Sequence, residues 1–128
     1  MVCELSVDGH VGRGEGAPYG RYGETADGVV QAIEALGEAL AAGLDRDGLQ
    51  AAIGPGAARN AVDCALWDLE AKQGGVRAWT LAGRNRLDPV KTCFSLRLDT
   101  ASAMAMAASR EARRPMLKLK NGGTDDLD

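Results

Sequence analysis

Apolar residues change their spacing along this chain, and each change marks an element. Val2 to Val7 and Val11 to Glu15 are short β-prone runs on either side of Asp8-Gly9. That pair suits a tight turn whose glycine takes positive φ, so the pattern predicts a hairpin. From Thr25, a candidate N-cap, Val29, Ile33, Leu36 and Leu40 recur at helical spacing before Gly43, which predicts one helix closed by a glycine. Gly28 and Gly37 weaken it by about 1 kcal/mol each relative to alanine. Asp45 caps a shorter predicted helix through Ile53. Gly54-Pro55-Gly56 breaks it before a longer helix from Ala57 to Gln73, which Gly74-Gly75 ends. Ala58, Val62, Leu66 and Leu69 share one face of that helix. Arg59 with Asp63, and Asp68 with Lys72, are opposite charges four residues apart on its outside.

After Asp88-Pro89 the period shortens. Val90, Thr92, Phe94, Leu96 and Leu98 alternate with Lys91, Cys93, Ser95 and Arg97, the pattern of a strand. An alanine-rich helix follows from about Thr100 to Arg113, then Pro115, then a second strand over Met116 to Lys120. Strand, helix, strand implies a parallel βαβ unit. A lone unit leaves edges uncovered, so the chain is expected to stop in mid-domain. The boundary between the two parts is placed around Arg84 to Asp88, giving domains over 1–88 and 89–128.

Composition narrows the partners more than the function. Lys and Arg number 15 against 18 acidic residues, interspersed, for a net charge of −3. Neither a nucleic-acid footprint nor an anionic-membrane patch is expected from that balance. Cys3, Cys64 and Cys93 are flanked by apolar residues without a CxxC pair, and read as reduced core thiols. No apolar run approaches the ~18 residues of a membrane span, and no signal peptide is visible, so a cytoplasmic location is expected.

The residues with candidate chemistry are few. Lys118 and Lys120 are two apart, so on a strand they share a face opposite Leu117 and Leu119. Two neighbouring ammonium groups lower each other's pKa, which turns a lysine towards proton acceptance near neutral pH. A solvated strand face is the favoured account of the spacing alone. His10 stands alone without companion metal ligands and reads as structural. Asp63, Asp68 and Glu70 suit helix-surface contacts, and the acidic end Asp125-Asp126-Leu127-Asp128 suits a solvated terminus. Gly12, Gly14 and Gly16 form Gly-x-Gly-x-Gly, but no helix opens after them, which argues against a dinucleotide loop.

Several segments, in order, resemble the enolase superfamily and within it the dipeptide epimerases. Gly9 to Glu15 with Pro18-Tyr19, then Arg21-Tyr22-Gly23-Glu24-Thr25, resembles the capping-domain strand and the loop after it. Ala58 to Lys72, with Asp63-Cys64-Ala65-Leu66-Trp67-Asp68-Leu69-Glu70, resembles the characteristic capping helix and is the most specific match. Thr92 to Leu96 resembles the first barrel strand, and Leu117-Lys118-Leu119-Lys120 followed by Gly122-Gly123 the second, with its Lys-x-Lys motif. The implied fold class is α+β: an N-terminal capping domain of hairpin and helices, then the first β-α-β of an incomplete (β/α) barrel. The cap's first strand and loop lie upstream of Val2 in the family, so a truncation at both ends is expected. Arg77-Ala78 before Trp79, Gly28 and Asn121 depart from the family pattern.

The resemblance implies Lys120 as a catalytic base, with Lys118 tuning it and helping to hold the substrate carboxylate. Arg21 and Tyr22 would contact the distal part of the substrate, Arg21 by pairing with a side-chain carboxylate; a solvated loop is the alternative. Ser95 would line the pocket or bond within the sheet. The implied chemistry is Mg²⁺-dependent abstraction of the α-proton of a carboxylate, through an enediolate, in a dipeptide such as L-Ala-L-Glu. The metal's carboxylates and the second base have no counterpart in this chain, so catalysis by the chain alone is not expected. N-acylamino-acid racemase, o-succinylbenzoate synthase and muconate cycloisomerase share Lys-x-Lys and stay open, as does a non-catalytic remnant acting through association. The expected partner is a small dipeptide or N-acylamino acid, and a homo-oligomer is one arrangement left open.

Overall fold

A computed structural model describes residues 1–120 and 122. Asn121, Gly123 and the acidic end at 125–128, each remarked on above, lie outside the described residues. The chain forms two compact units, Met1–Leu87 and Asp88–Asp128.

The first unit opens with the hairpin β1 (Val2–Val7) and β2 (His10–Glu15), paired antiparallel from Val2 opposite Glu15 to Val7 opposite His10. Asp8 and Gly9 both take positive φ, the requirement of a two-residue turn whose twist matches the strands. The helices are α1 (Ala26–Glu34), α2 (Gly37–Ala41), α3 (Arg46–Ala52), α4 (Ala57–Gln73) and α5 (Ala78–Leu81). Thr25 and Asp45 cap α1 and α3 as expected, accepting from the N–H groups of Gly28 and Gly48. The single helix predicted from Thr25 to Gly43 is instead interrupted at Ala35-Leu36, beside Gly37, where glycine resists the helical state most. Gly75, at φ +62°, stops α4, and the N–H groups of Gly75 and Val76 satisfy the carbonyls of Lys72 and Ala71. The short α5 carried no periodic signal, having a single turn.

The core forms around α4. Val62 and Leu66 join Cys3, Leu36 and Leu49, while Ala57 and Ala58 pack with Val29. The neighbouring face of α4 lies on β2 through Ala57, Ala61 and Ala65. A Cβ built on Gly12, Gly14 or Gly16 would stand 2.2, 2.0 or 2.2 Å from the carbonyl oxygens of Ala65, Ala61 and Ala57. Two strand residues rise about 6.7 Å and four helical residues about 6 Å, so glycines at every second position meet alanines at every fourth. That approach explains the Gly-x-Gly-x-Gly run.

The outer edge of β2 is covered by side chains of the same helix. Asp68 accepts the Arg13 N–H at 2.7 Å, Lys72 donates to the Val11 carbonyl at 2.6 Å, and Asn60 donates to the Glu15 carbonyl at 2.7 Å. A strand edge so occupied cannot recruit another chain. Asp68 also pairs with Lys72 as predicted. Asp63, by contrast, accepts from Gln50 of α3, and the predicted Arg59–Asp63 ion pair is not formed among the described residues.

The second unit holds β3 (Phe94–Ser95), α6 (Ala101–Arg110) and β4 (Leu117–Lys118), with β3 and β4 parallel. Thr100 caps α6 through the Ala103 N–H. Both strands are far shorter than the runs 90–98 and 116–120 predicted for them. Alternation sets the face of a strand, but the length of a ladder depends on its neighbours, and each of these has one partner among the described residues. Leu96 is 2% exposed, whereas Val90 is 80% exposed. Mixed helices and small sheets make the fold α+β, with no closed barrel among the described residues.

Candidate functional site

Arg21 and Tyr22 lie in the first unit, on a single 3₁₀ turn over Gly20–Tyr22. The turn closes through the Tyr22 N–H on the Tyr19 carbonyl at 2.9 Å and the Gly23 N–H on the Gly20 carbonyl at 3.0 Å. Gly23 leaves it at φ +75°, a backbone state that a side chain would strain. The Tyr19 and Tyr22 rings meet edge to face, 5.5 Å between centroids. Both Arg21 and Tyr22 are exposed, and Arg21 pairs with no carboxylate among the described residues.

The residue that fixes this turn is Glu24, which sequence reasoning passed over. Its carboxylate accepts the Tyr19 N–H at 2.9 Å with one oxygen and the Ala57 N–H at 2.6 Å with the other. Those donors, Ala57 foremost, hold the Glu24 carboxyl below the usual carboxylate range. A signal was available: α4 starts after Gly56, which has no side chain to cap it, so its first N–H groups need an acceptor from elsewhere.

Ser95, Lys118 and Lys120 lie in the second unit. The parallel register sets Ser95 directly beside Lys118, so their side chains leave one face of the ladder. The Leu96 N–H donates to the Lys118 carbonyl at 2.9 Å and the Phe94 N–H to that of Met116 at 3.0 Å, which fixes the pairing. Lys120 lies two residues beyond β4. All three are exposed. Arg114 lies over the Phe94 ring at 4.0 Å and pairs with Glu111, closing the return from α6 to β4.

The remaining candidates have structural work. Glu70 accepts from Arg46, whose guanidinium stacks on Trp67 at 3.6 Å. Asp68 belongs to the β2 seam, so both residues bond to partners in the first unit. His10 is exposed and sits opposite Val7 at the hairpin end. The three thiols are free, but only Cys3 is a core residue, and burial pushes its thiol up. Cys64 and Cys93 are exposed, because apolar neighbours in sequence do not decide which face a residue occupies. Among the described residues no group of three or more His, Cys, Asp or Glu side chains is placed to hold a metal ion. No helix among them is long and apolar enough to cross a membrane.

Residues 1–83 match the model of the mandelate racemase/muconate lactonizing enzyme N-terminal domain. The chain belongs to this family. L-Ala-D/L-Glu epimerase of Escherichia coli is 39% identical over 94% of the chain and 38% of its own length. N-acetyl-D-glutamate racemase of a Pseudoalteromonas species is 32% identical over 94% of the chain and 38% of its own. An enolase family member from Agrobacterium tumefaciens with homology to dipeptide epimerases, solved with bound sodium, L-Ala-L-Glu and an ordered loop, superposes at TM-score 0.91. It is 46% identical and matches 98% of the chain over 39% of its own. A solved L-Ala-D/L-Glu epimerase gives TM-score 0.85 at 38% identity, over 96% of the chain and 39% of its own. The chain thus resembles epimerases and racemases, which are isomerases, and spans about two fifths of the length of each.

Proposed function

We propose that the protein is an isomerase that inverts the α-carbon of an N-acylated glutamate, with L-Ala-L-Glu as its substrate. One observation carries this reading: the likeness to a structure holding L-Ala-L-Glu runs over 98% of the chain, both units included. The names of the relatives narrow it further. An L-Ala-Glu dipeptide and N-acetyl-glutamate differ in the acyl group and share the glutamate, with its α-carboxylate and side-chain carboxylate.

In this reading Lys120, as the neutral amine, takes the α-proton, and the electron pair passes into the adjacent carboxylate as an enediolate; a base on the opposite face returns a proton. Lys118, beside Ser95 in the ladder, places a cation by the base and against the α-carboxylate. The Ser95 hydroxyl lines the same face. Arg21 meets the side-chain carboxylate, where a guanidinium can form two parallel hydrogen bonds, and Tyr22 borders it. Mg²⁺ dependence enters the proposal through the resemblance alone, since the described residues make no site that fits it.

The test is α-proton exchange in D₂O by the full-length protein with Mg²⁺ and L-Ala-L-Glu, followed by proton NMR. Lys120→Met should slow exchange by at least ~100-fold, the usual worth of a general base. Exchange at the wild-type rate in that variant would remove Lys120 from the chemistry. Faster turnover of N-acetyl-glutamate than of the dipeptide would shift the substrate to the N-acylamino-acid class, the reading that the Pseudoalteromonas relative favours.

A further inference from the structure

Among the described residues, Glu24 ties the turn bearing Arg21 to a distant element of the unit. The turn's own backbone bonds close the loop locally, but they do not fix where the loop stands on the unit. Glu24 does so by bridging the Tyr19 N–H to the first N–H of α4, a seventeen-residue helix packed at the centre of the core. The bridge spans 33 residues of sequence to Ala57, so it is a tertiary anchor and not part of the turn. On the other side Thr25 begins α1, whose Val29 is buried against Ala57 and Ala58. Gly56 leaves room for the carboxylate: a Cβ there would stand 2.7 Å from its Oε1.

We propose that Glu24 is a positioning residue: its carboxylate fixes the 19–23 turn to the start of α4 and thereby sets where Arg21 meets the substrate's side-chain carboxylate. This rests on the function proposed above, and it predicts an effect on binding and not on the proton-transfer step. Glu24 touches neither the substrate nor the lysines in this reading, and acts through Arg21.

Two variants loosen the anchor by different routes. Glu24→Gln turns one acceptor oxygen into an NH₂ that faces an N–H group. Gly56→Ala keeps the carboxylate but pushes its oxygen away from α4. In the full-length protein each should raise KM for L-Ala-L-Glu about tenfold while kcat stays within about twofold, the signature of lost uniform binding. In an Arg21→Ala background the same changes should add nothing further, because the residue being positioned is gone. Trypsin cleavage after Arg21 in the folded protein should accelerate about tenfold in both variants.

Unchanged KM in both variants overturns the proposal, even where cleavage accelerates, since the anchor would then be structural only. Full additivity with Arg21→Ala overturns it as well. If wild-type protein exchanges no α-proton from any N-acyl glutamate, the proposed function fails separately. The anchor is then judged by cleavage, and an unchanged rate after Arg21 overturns it.

Discussion

A single methyl group on β2 would meet the backbone of α4. Gly14 faces the backbone of α4, where a Cβ would lie 2.0 Å from the Ala61 carbonyl oxygen and 2.5 Å from the Ala65 nitrogen. Backbone atoms cannot rotate aside as a side-chain tip can, so the strand must lift off the helix. Gly14→Ala should therefore cost about 3 kcal/mol, the upper end for overpacking a core. Gly20→Ala is the control, since nothing lies within 4 Å of its Cβ and its φ is not positive; it should cost less than about 0.5 kcal/mol. Urea unfolding of the full-length protein measures both, and equal midpoints for the two variants would show that β2 and α4 have freedom to part. The glycine run is visible in the sequence. Its positive role is not visible there, because it depends on alanines 41 to 53 residues further on and on the sheet face that meets them.

Among the elements, those with their own punctuation were legible. Asp8-Gly9, Thr25, Asp45 and Gly74-Gly75 each carry a backbone requirement that the residue type alone satisfies, so hairpin and helix ends fall where these residues stand. What depends on a distant partner was not legible: the acceptor for α4, the two-residue ladders β3 and β4, and the choice of Asp63 for Gln50 over Arg59. The seam between β2 and α4 is such a case, and it carries a pH dependence. Lys72 first, then the Arg13 N–H, holds the Asp68 carboxyl below the usual range. The folded state then binds fewer protons at this group than the unfolded chain, so the stabilisation is fully present above about pH 4 and is lost as pH falls through the lower folded value. Asp68→Asn should lower the urea midpoint at neutral pH, and its gap from wild type should close as the pH falls below about 4. A gap that stays constant into acid would assign the loss to something other than the carboxylate charge.

At the scale of the whole molecule the two units differ in how much of their stability they hold themselves. Both buried clusters lie in Met1–Leu87, around α4 and including Leu49 and Val62, which are fully buried. In the second unit Leu96 is the one buried apolar residue among those described, while Val90, Leu98, Met106, Met116 and Leu119 are all exposed. Burial of apolar area is the main favourable term in folding and must offset a backbone entropy of about 1–2 kcal/mol per residue. A unit with one such residue cannot meet that cost from its own described contacts, whereas a two-sided core around a seventeen-residue helix can. Residues 1–87 made alone should therefore unfold in urea as a single cooperative transition seen alike by far-ultraviolet circular dichroism and the fluorescence of Trp67 and Trp79, and residues 88–128 alone should show none. This division also bears on function. Arg21 and its Glu24 anchor lie in the unit with its own core, so the anchor's effect on cleavage after Arg21 should persist in 1–87. The proposed base lies in the other unit, whose described residues form no comparable core to hold it to the tolerance of about 0.5 Å that catalysis asks of its groups. Loss of cooperativity in 1–87 would mean that the core around α4 is not sufficient by itself.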